Sequence, residues 1–280
     1  MTLAQIKELL KKHDAYPKKQ FGQNFLFDQN SVKKMIEAAQ IGPDDIAVEV
    51  GPGVGNLTQE LAKDAKEVIA IENDRSMLAI LNDLFGGTPN VKIIDADILK
   101  FDENLLPKDY KVVANLPFYL AAPAIRKFLE SPNPPRSLAL IVQKEVAQRI
   151  AAQPPQMSLL AVSVQFYAQA KIISYIKKDG FWPSPKVDSA IIDIVLRKVI
   201  YDKQFVEIFF KVVRAGFSHP RKQLANNLST ELGMDRGQAE KLLEQNGIKP
   251  TARAETLTVE AWNNLARSVL GANGPAKSQG

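Results

Sequence analysis

The sequence predicts an α/β domain with a mostly parallel sheet, followed by a small all-helical domain. Three observations lead to this fold class. Apolar, β-branched runs alternate with segments of helical periodicity over the first half of the chain, two further strand-like runs are joined by a loop alone, and helical periodicity fills the chain from Asp202 onward. We therefore expect a sheet domain at 1–200, a helical domain at 201–270 and a disordered tail at 271–280.

The strands of the first half are expected to lie parallel inside the sheet. Their sequences are almost continuously apolar, which is typical of strands that helices cover on both faces. Segments of helical periodicity separate them, for example at 56–66, 74–84 and 121–130. The candidate strands are 45–50, 67–72, 91–97, 110–116 and 137–143.

Two more strand candidates, 171–177 and 189–197, have only a loop containing FWPSPKVD between them. A parallel pair needs a crossover of about a dozen residues or more, usually with a helix, so this connection favours an antiparallel hairpin. With the first five, these runs give a mostly parallel sheet of seven strands.

Composition excludes several functional classes. The 280-residue chain is 45% hydrophobic and 24% charged, which is ordinary for a globular protein, and it has no cysteine. Disulfides, thiolate nucleophiles and thiolate metal sites are therefore excluded. Only His13 and His219 are present, far apart in the sequence, so we expect no metal centre.

No segment predicts a membrane span or an export signal. The uncharged stretch 150–170 contains two prolines and four glutamines, and Lys7, Lys11 and Lys12 interrupt any apolar run near the N-terminus. No long apolar patch indicates an obligate dimer. We therefore expect a soluble, cytoplasmic monomer.

Positive charge is concentrated in the second half of the chain. The net charge is +5, yet residues 1–110 carry 13 basic and 18 acidic side chains, whereas residues 111–200 carry 12 and 5, and residues 201–280 carry 11 and 8. This bias indicates a polyanionic partner such as a nucleic acid, although a generic solvated surface would also explain it.

The first strand runs into a glycine-rich loop, GPGVGN at 51–56. Glycine permits tight turns and close approach to a ligand, and open α/β sheets bind ligands at the carboxyl ends of their strands. The spacing G-x-G-x-G departs from the dinucleotide fingerprint, and no Walker lysine follows. The loop is therefore either a simple tight turn or the site of a nucleoside ligand without a pyrophosphate, such as S-adenosylmethionine.

Acidic residues end the next two strands. Glu72 is placed to accept hydrogen bonds from both ribose hydroxyls of such a ligand, and Asp97 from its adenine amino group. Together with the glycine loop, these strand ends predict a methyl-donor site. We therefore expect a Rossmann-like, S-adenosylmethionine-dependent methyltransferase domain.

The fourth strand ends in the tetrapeptide Asn115-Leu-Pro-Phe118. Proline stops the strand, and asparagine supplies an amide oxygen as an acceptor. This oxygen and a carbonyl near Leu116–Pro117 can accept the two N–H bonds of an exocyclic amine, which aims the nitrogen lone pair at a methyl group without a strong base. Phe118 can stack on a flipped base. A proline-terminated strand with a core phenylalanine is the alternative interpretation.

From about residue 18 to residue 267, the sequence resembles the ribosomal RNA adenine N6,N6-dimethyltransferase family, and most closely its bacterial small-subunit branch. The motifs that carry this resemblance are KKQFGQNFL (18–26), VEVGPGVGNLT (48–58), IEND (71–74), DADIL (95–99), ANLPFYLAAP (114–123), LIVQKEVAQRI (140–150), FWPSPKVDSAII (181–192) and AGFSHPRKQLANNL (215–228).

The resemblance implies a cofactor site. Asn24 and Leu26 are expected to fold over the methionine end of S-adenosylmethionine, and Gly51 and Gly53 are expected to line the loop beside it. The same resemblance supports the ribose and adenine contacts expected at the two acidic strand ends.

It also implies a site for the target base. Asn115 and Pro117 are expected between cofactor and base, with Phe118 and Phe181 as the aromatic residues that sandwich the base. The family usually has tyrosine where this chain has Phe118, so the stacking face is retained without the hydroxyl.

Two basic pairs are candidate phosphate contacts. Lys144 and Arg149 follow the fifth strand, and Arg221 and Lys222 precede a helix of the second domain. Each pair is equally consistent with a solvated helix face.

The resemblance implies that the protein dimethylates the N6 amines of two adjacent adenosines near the 3′ end of 16S ribosomal RNA. The expected cofactor is S-adenosylmethionine, the expected partner is the immature 30S subunit, and the role is small-subunit biogenesis. The alternatives are a resistance-type enzyme that dimethylates 23S ribosomal RNA, a non-catalytic RNA-binding assembly factor and a small-molecule methyltransferase.

Overall fold

The computed structural model describes residues 1–18, 22–199 and 201–272. The chain forms two compact units. The sheet unit consists of Met1–Gln148 and Ala168–Leu196, and the helical unit consists of Arg149–Tyr167 and the chain from Arg197 onward.

The sheet unit contains nine strands within the described ranges. They are β1 (Phe25–Leu26), β2 (Ile46–Val50), β3 (Glu67–Glu72), β4 (Val91–Asp95), β5 (Lys111–Asn115), β6 (Ser137–Gln143), β7 (Ala168–Ile176), β8 (Phe181–Trp182) and β9 (Ser189–Leu196). Its helices are α1 (Leu3–Lys12), α2 (Gln29–Ala39), α3 (Asn56–Asp64), α4 (Arg75–Phe85) and α5 (Ala121–Glu130).

The predicted seven-stranded sheet is confirmed, with the order β4-β3-β2-β5-β6-β9-β7. The strands from β2 to β6 are parallel, and β9 is antiparallel to both β6 and β7. The hairpin strands are therefore antiparallel as predicted, and β9 lies inside the sheet while β7 forms its edge. The sequence analysis did not find the separate two-stranded sheet of β1 and β8.

The strand order places a topological switch point between β2 and β5. The chain adds β3 and β4 on one side of β2 and then returns to add β5 on the other side, with Val50 opposite Ala114. Open α/β sheets bind ligands in the crevice at such a point, outside the carboxyl ends of the strands.

Local interactions begin the helices that follow these strands. The carboxylates of Asp28 and Asp74 cap α2 and α4 by accepting from the backbone N–H groups of Ser31 (3.2 Å) and Ser76 (2.9 Å). The N-cap of α3 is Gly55, whose φ is +80°, and a Cβ at this position would lie only 2.5 Å from the Phe85 ring. Glycine is required there by both backbone conformation and packing.

The helical unit has its own apolar core. Its helices are α7 (Leu159–Tyr167), α8 (Lys203–Phe217), α9 (Leu224–Leu232), α10 (Arg236–Gln245) and α11 (Val259–Ala272), and α6 (Lys144–Ile150) spans the point where the chain passes from the first unit to the second. Phe166 of α7 stacks on Phe209 of α8, with ring centroids 4.0 Å apart. Trp262 and Phe209 are fully buried in this core.

The predicted boundary near residue 200 misses one segment of this unit. Arg149–Tyr167 belongs to the helical unit, because apolar side chains of α7 pack in the core of that unit. Gln165 secures the segment by donating to the carbonyls of Ile150 and Ala152, both at 2.8 Å. The predicted disordered tail is also wrong at its start, because α11 continues to Ala272. The rest of that tail lies outside the described residues.

Candidate active site

The main pocket of the sheet unit lies at the carboxyl ends of β2, β3 and β5 and beside the β1–β8 pair. All the residues predicted for catalysis or cofactor binding line it, whereas none of the predicted RNA contacts does. The predicted lining residues are Asn24, Leu26, Gly51, Gly53, Glu72, Asp97, Asn115, Pro117, Phe118 and Phe181.

The glycine loop forms the floor of the pocket at the end of β2. Gly51 and Gly53 have φ values of +66° and +57°, which side chains rarely tolerate. A Cβ on Gly51 would meet no atom within 4 Å, so the backbone there faces open space, whereas one on Gly53 would approach the Phe25 ring to 3.0 Å. The loop thus exposes bare backbone to a ligand at Gly51, whereas the Phe25 ring packs against the loop at Gly53.

The carboxylate of Glu72 is held in place by backbone N–H groups. Oε2 accepts from Gly53 at 3.1 Å, and Oε1 accepts from Asn73 and Asp74, each at 2.9 Å. The side chain is buried, and this burial raises the pKa of Glu72 despite the three donors. Oε1 already accepts two hydrogen bonds, so Oε2, which accepts one, is the oxygen that keeps acceptor capacity for a ligand.

Asp97 lies two residues beyond the end of β4 and is half-buried. Its Oδ1 accepts from the backbone N–H of Leu99 at 2.9 Å, and its main-chain carbonyl accepts from Lys100 and Phe101, also at 2.9 Å. These hydrogen bonds form a tight turn and fix the orientation of the Asp97 carboxylate. The neighbouring Ile98 also lines the pocket, with an almost completely buried side chain.

The structure brings Asn115 and Asn24 together. Asn115 ends β5, and its side-chain nitrogen donates to the main-chain oxygen of Asn24 at 2.9 Å. The side chain of Asn24 in turn donates to the carbonyl of Gly22 at 2.8 Å. Residues 22–26 are therefore tied directly to the end of the fourth parallel strand.

A tight turn follows Asn115. The Leu116 N–H donates to Ile141 at 3.2 Å, and the carbonyl of Pro117 accepts from Leu120 at 2.9 Å. Within the part of the chain that the structure describes, the carbonyl of Leu116 has no hydrogen-bond partner. Of the two carbonyls considered from the sequence, that of Leu116 is therefore the one available to a ligand.

The two predicted aromatic residues differ in burial. Phe118 is partly exposed, whereas Phe181 is 3% exposed and packs in the apolar cluster around Leu26 and Ile191. In the β1–β8 pair, Phe181 lies opposite Leu26. Phe181 is thus a wall of the pocket and a part of the core at the same time.

The sequence analysis missed a second buried carboxyl group in the pocket. Glu49 precedes the glycine loop and is 1% exposed, and it accepts from the hydroxyl of Thr58 at 2.6 Å. Burial raises the pKa of Glu49 to about 8, although the Thr58 hydrogen bond opposes this shift. Its position at the end of an apolar strand, directly before a glycine loop, was the available signal.

The residues that anchor the N-terminal segment were not predicted from the sequence either. Asp74 accepts from Lys18 Nζ at 2.7 Å and from Gln23 Nε2 at 3.0 Å. Asn56, at the start of α3, donates to the carbonyl of Leu26 at 2.6 Å. Asn56 and Asp74 thus hold the segment that carries Asn24 against the pocket.

The predicted RNA contacts lie elsewhere on the two units. Lys144, on the sheet unit, places its ammonium group 5.4 Å from the centroid of the Tyr175 ring. Arg149, Arg221 and Lys222 belong to the helical unit and are exposed. Arg221 and Lys222 lie in a turn closed by a hydrogen bond from the Lys222 N–H to the His219 carbonyl, at 3.0 Å.

Comparison with known proteins identifies the family. The model of the ribosomal RNA adenine dimethylase family matches residues 16–269. The chain belongs to this family. A curated relative from Dehalococcoides mccartyi (strain CBDB1), named ribosomal RNA small subunit methyltransferase A, is 42% identical over 96% of this chain and 94% of its own. A relative of the same name from Geobacillus kaustophilus (strain HTA426) is 40% identical over 96% of each chain.

Solved structures agree with this assignment. The 23S rRNA methyltransferase ErmE superposes with a TM-score of 0.74 and 26% identity, over 88% of this chain and 99% of its own. A dimethyladenosine transferase from Plasmodium falciparum gives 0.74 and 25%, over 86% and 95%. The fold is therefore that of an S-adenosylmethionine-dependent ribosomal RNA methyltransferase, as the sequence predicted.

The described residues contain neither a candidate membrane-spanning helix nor a candidate metal site. None of their helices is long and apolar enough to cross a membrane. In the same ranges, no group of three or more His, Cys, Asp or Glu side chains is arranged to hold a metal ion.

Proposed function

We propose that this dimethylase transfers methyl groups from S-adenosylmethionine to the N6 amines of two adjacent adenosines near the 3′ end of 16S ribosomal RNA. The observation that carries the proposal is the hydrogen bond between Asn115 and Asn24, which orients an amide oxygen at the end of β5 beside the glycine loop. The names of the curated relatives support the small ribosomal subunit as the target.

The residues of the pocket fit S-adenosylmethionine. Glu72 offers a fixed carboxylate oxygen, Oε2, to the ribose hydroxyls, Asp97 offers an acceptor for the adenine amino group, and the bare backbone at Gly51 leaves room above the loop. Asn24 and Leu26 would cover the methionine end. When bound, this cofactor supplies an electrophilic methyl group on a sulfonium sulfur.

The target amine needs acceptors rather than a base. The exocyclic nitrogen of adenine is a poor nucleophile because its lone pair is delocalised into the ring. The side-chain oxygen of Asn115 and the carbonyl of Leu116 would accept its two N–H bonds, which favours a pyramidal nitrogen with a localised lone pair. The two acceptors matter most as the transition state is approached.

The target base must leave its stack to reach this position. Phe118 would stack on the ring of the base, and Phe181 would form the wall on the other side, in line with its place in the pocket. Pro117 fixes the turn between Asn115 and Phe118, because its ring restricts the backbone and its carbonyl closes the turn with Leu120.

Binding of the RNA would depend on basic side chains outside the pocket. Lys144, Arg149, Arg221 and Lys222 would contact phosphates, which position the RNA without reading its sequence. Such a protein would act as a monomer in the cytoplasm, on the immature 30S subunit.

The structural likeness to ErmE makes a 23S target the main alternative. The higher identity of the relatives named for the small subunit favours 16S RNA. A non-catalytic assembly factor would have no need for the oriented Asn115 amide or for the carboxylate of Glu72 held by three backbone donors.

The test measures transfer of a tritiated methyl group from the cofactor to three substrates: naked 16S RNA, immature 30S particles and 23S RNA. We expect incorporation into the 16S RNA or the 30S particles and none into 23S RNA. Incorporation into 23S RNA alone would establish the alternative, and no incorporation with any of the three would contradict the proposal.

A further inference from the structure

A second depression of the sheet unit adjoins the main pocket. Leu26 and Phe181 line the main pocket, and the residues bonded to them in the chain, Phe27 and Gly180, line the depression. The Phe27 N–H donates to the carbonyl of Gly180 at 3.0 Å, so the wall between the two sites is hydrogen-bonded. A chain leaving the pocket over this wall would enter the depression directly.

An exposed aromatic side chain lines this depression. Tyr175 lies near the end of the edge strand β7 and is 52% exposed, so it contributes little to the core. The ammonium group of Lys144 lies 5.4 Å from the centroid of its ring, within the range of a cation–π interaction. The structure thus presents a planar ring with a cation over one face, which leaves the other face for stacking.

Lysines and acids line the depression in equal number, and a further lysine lies beside Tyr175. Lys34 and Lys177 line the depression, and Lys34 donates to the hydroxyl of Ser174 at 3.2 Å, which places its ammonium group beside the strand. Two carboxylates also line it. That of Asp28 accepts from the backbone N–H and the hydroxyl of Ser31, and that of Asp179 is part of an exposed residue. Lys144 is not part of this lining, but its ammonium group over the Tyr175 ring brings the lysines near that ring to three.

We propose that this depression, lined by Tyr175, Lys34 and Lys177 and flanked by Lys144, binds an unpaired nucleotide that flanks the target adenosine. The base stacks on the ring of Tyr175, and the lysines contact the adjoining phosphates. An aromatic platform within a basic groove is the combination by which proteins bind single-stranded RNA. The inference rests on the proposed function, because it requires an RNA strand that passes from the main pocket.

The test measures binding of a fluorescein-labelled oligoadenylate of about twelve nucleotides, a length within the usual range of such sites. A duplex RNA of the same length serves as the second probe. Tyr175→Leu retains an apolar side chain without a planar face, Tyr175→Phe retains the face, and Lys108→Ala removes an exposed lysine just before β5. Thermal unfolding of each variant checks that the fold is intact.

We expect Tyr175→Leu to weaken oligoadenylate binding by about tenfold, the size of a lost stacking contact, and to leave duplex binding unchanged. Tyr175→Phe and Lys108→Ala should bind both probes as the unchanged protein does. Lys177→Ala, at an exposed position, should weaken both probes and lower the salt dependence of binding, as expected for a phosphate contact.

Equal oligoadenylate affinity in Tyr175→Leu and the unchanged protein would overturn the inference, as would an equal loss for both probes. Failure of the proposed function is a separate result. It would appear as an unchanged protein that methylates neither 16S RNA nor 30S particles, whatever its affinity for the oligoadenylate.

Discussion

The side-chain nitrogen of Asn115 lies 2.9 Å from the main-chain oxygen of Asn24. Because a carbonyl oxygen can only accept a hydrogen bond, the amide group of Asn115 must turn its nitrogen toward Asn24. Its oxygen is then directed away from Asn24, as an acceptor. A contact between residues 91 positions apart thus sets the orientation on which the proposed chemistry depends.

Replacing Asn115 by alanine should therefore impair turnover much more than RNA binding. The lost oxygen is an acceptor that the amine needs most as its nitrogen becomes pyramidal, so the loss falls on the transition state. Single-turnover methylation and RNA affinity, measured on the same preparation, separate the two effects. A calorimetric titration with S-adenosylmethionine is the control, and a wild-type methylation rate in this variant would refute the mechanism.

Replacing Glu72 by alanine should weaken S-adenosylmethionine binding by about 1–3 kcal/mol, because hydrogen bonds from the ribose to a charged acceptor are lost. Glu67→Ala is the matched control, since Glu67 is the first residue of β3 and lies at the end of the strand opposite to Glu72. Calorimetry should show the loss for Glu72 and no change for Glu67. An unchanged affinity in Glu72→Ala would show that Glu72 does not bind the ribose.

The two aromatic residues call for different substitutions. Phe118→Tyr should retain activity, because the stacking face is kept, whereas Phe118→Leu should lose about 1–3 kcal/mol of binding to the target base.

Phe181 needs a gentler change, because it is 3% exposed and a phenylalanine-to-alanine change in a core typically costs about 3–5 kcal/mol of stability. Phe181→Leu should preserve more of the packing and reduce methylation. Comparing the methylation rate with the unfolding temperature decides whether the ring acts on the base or only on the core.

Much of this site could be predicted from the sequence, because its residues lie where strands end. Glu72 is the last residue of β3 and Asn115 is the last residue of β5, and the alternation of strands and helices places both at one edge of a parallel sheet. The glycines after β2 also indicate that a ligand binds where the strands end. These patterns are local in the sequence and periodic, so the sequence alone reveals them.

Contacts between distant segments could not be predicted in this way. The two-residue strands β1 and β8 are too short to show a period, and they exist only because they pair with each other. Likewise, α7 is apolar on most sides, so its hydrophobic pattern does not show whether it packs in the core of the sheet unit or of the helical unit. The structure shows that Phe166 stacks on Phe209, which assigns the segment to the helical unit.

The buried carboxyl group of Glu49 predicts a dependence of stability on pH. Its pKa rises from an ordinary 4.5 to about 8, because burial disfavours the charged form. Between these values the folded protein holds a proton that the unfolded chain has released, so the free energy of unfolding should fall as the pH rises through this window. Urea unfolding at several pH values should show this fall in the unchanged protein.

The variant Glu49→Gln removes the titrating group and should flatten this profile. Burial also raises the pKa of Glu72, which acts in the same direction, so part of the slope should persist in the variant. Profiles of equal slope in the two proteins would show that Glu49 does not carry the buried proton.

Binding of ribosomal RNA should fall steeply with salt between about 50 and 200 mM, because lysine and arginine release counterions from the phosphates. Arg221→Ala combined with Lys222→Ala should reduce this slope. Arg236→Ala in the same unit is the matched control, since Arg236 already forms an ion pair with Glu240, with Nε and Oε1 2.8 Å apart. If the double variant showed the same salt dependence as the unchanged protein, the turn containing Arg221 and Lys222 would not contact the RNA.

Identification of the modified nucleosides tests whether the protein dimethylates two adjacent adenosines. Immature 30S particles that lack methylation at the 3′ end of their RNA are incubated with the protein and S-adenosylmethionine, and the RNA is then digested and mapped by mass spectrometry. We expect N6,N6-dimethyladenosine at two adjacent positions near the 3′ end, and none when Asn115→Ala replaces the unchanged protein. Methylation of a nucleoside other than adenosine, or an RNA that remains unmodified, would contradict the proposed function.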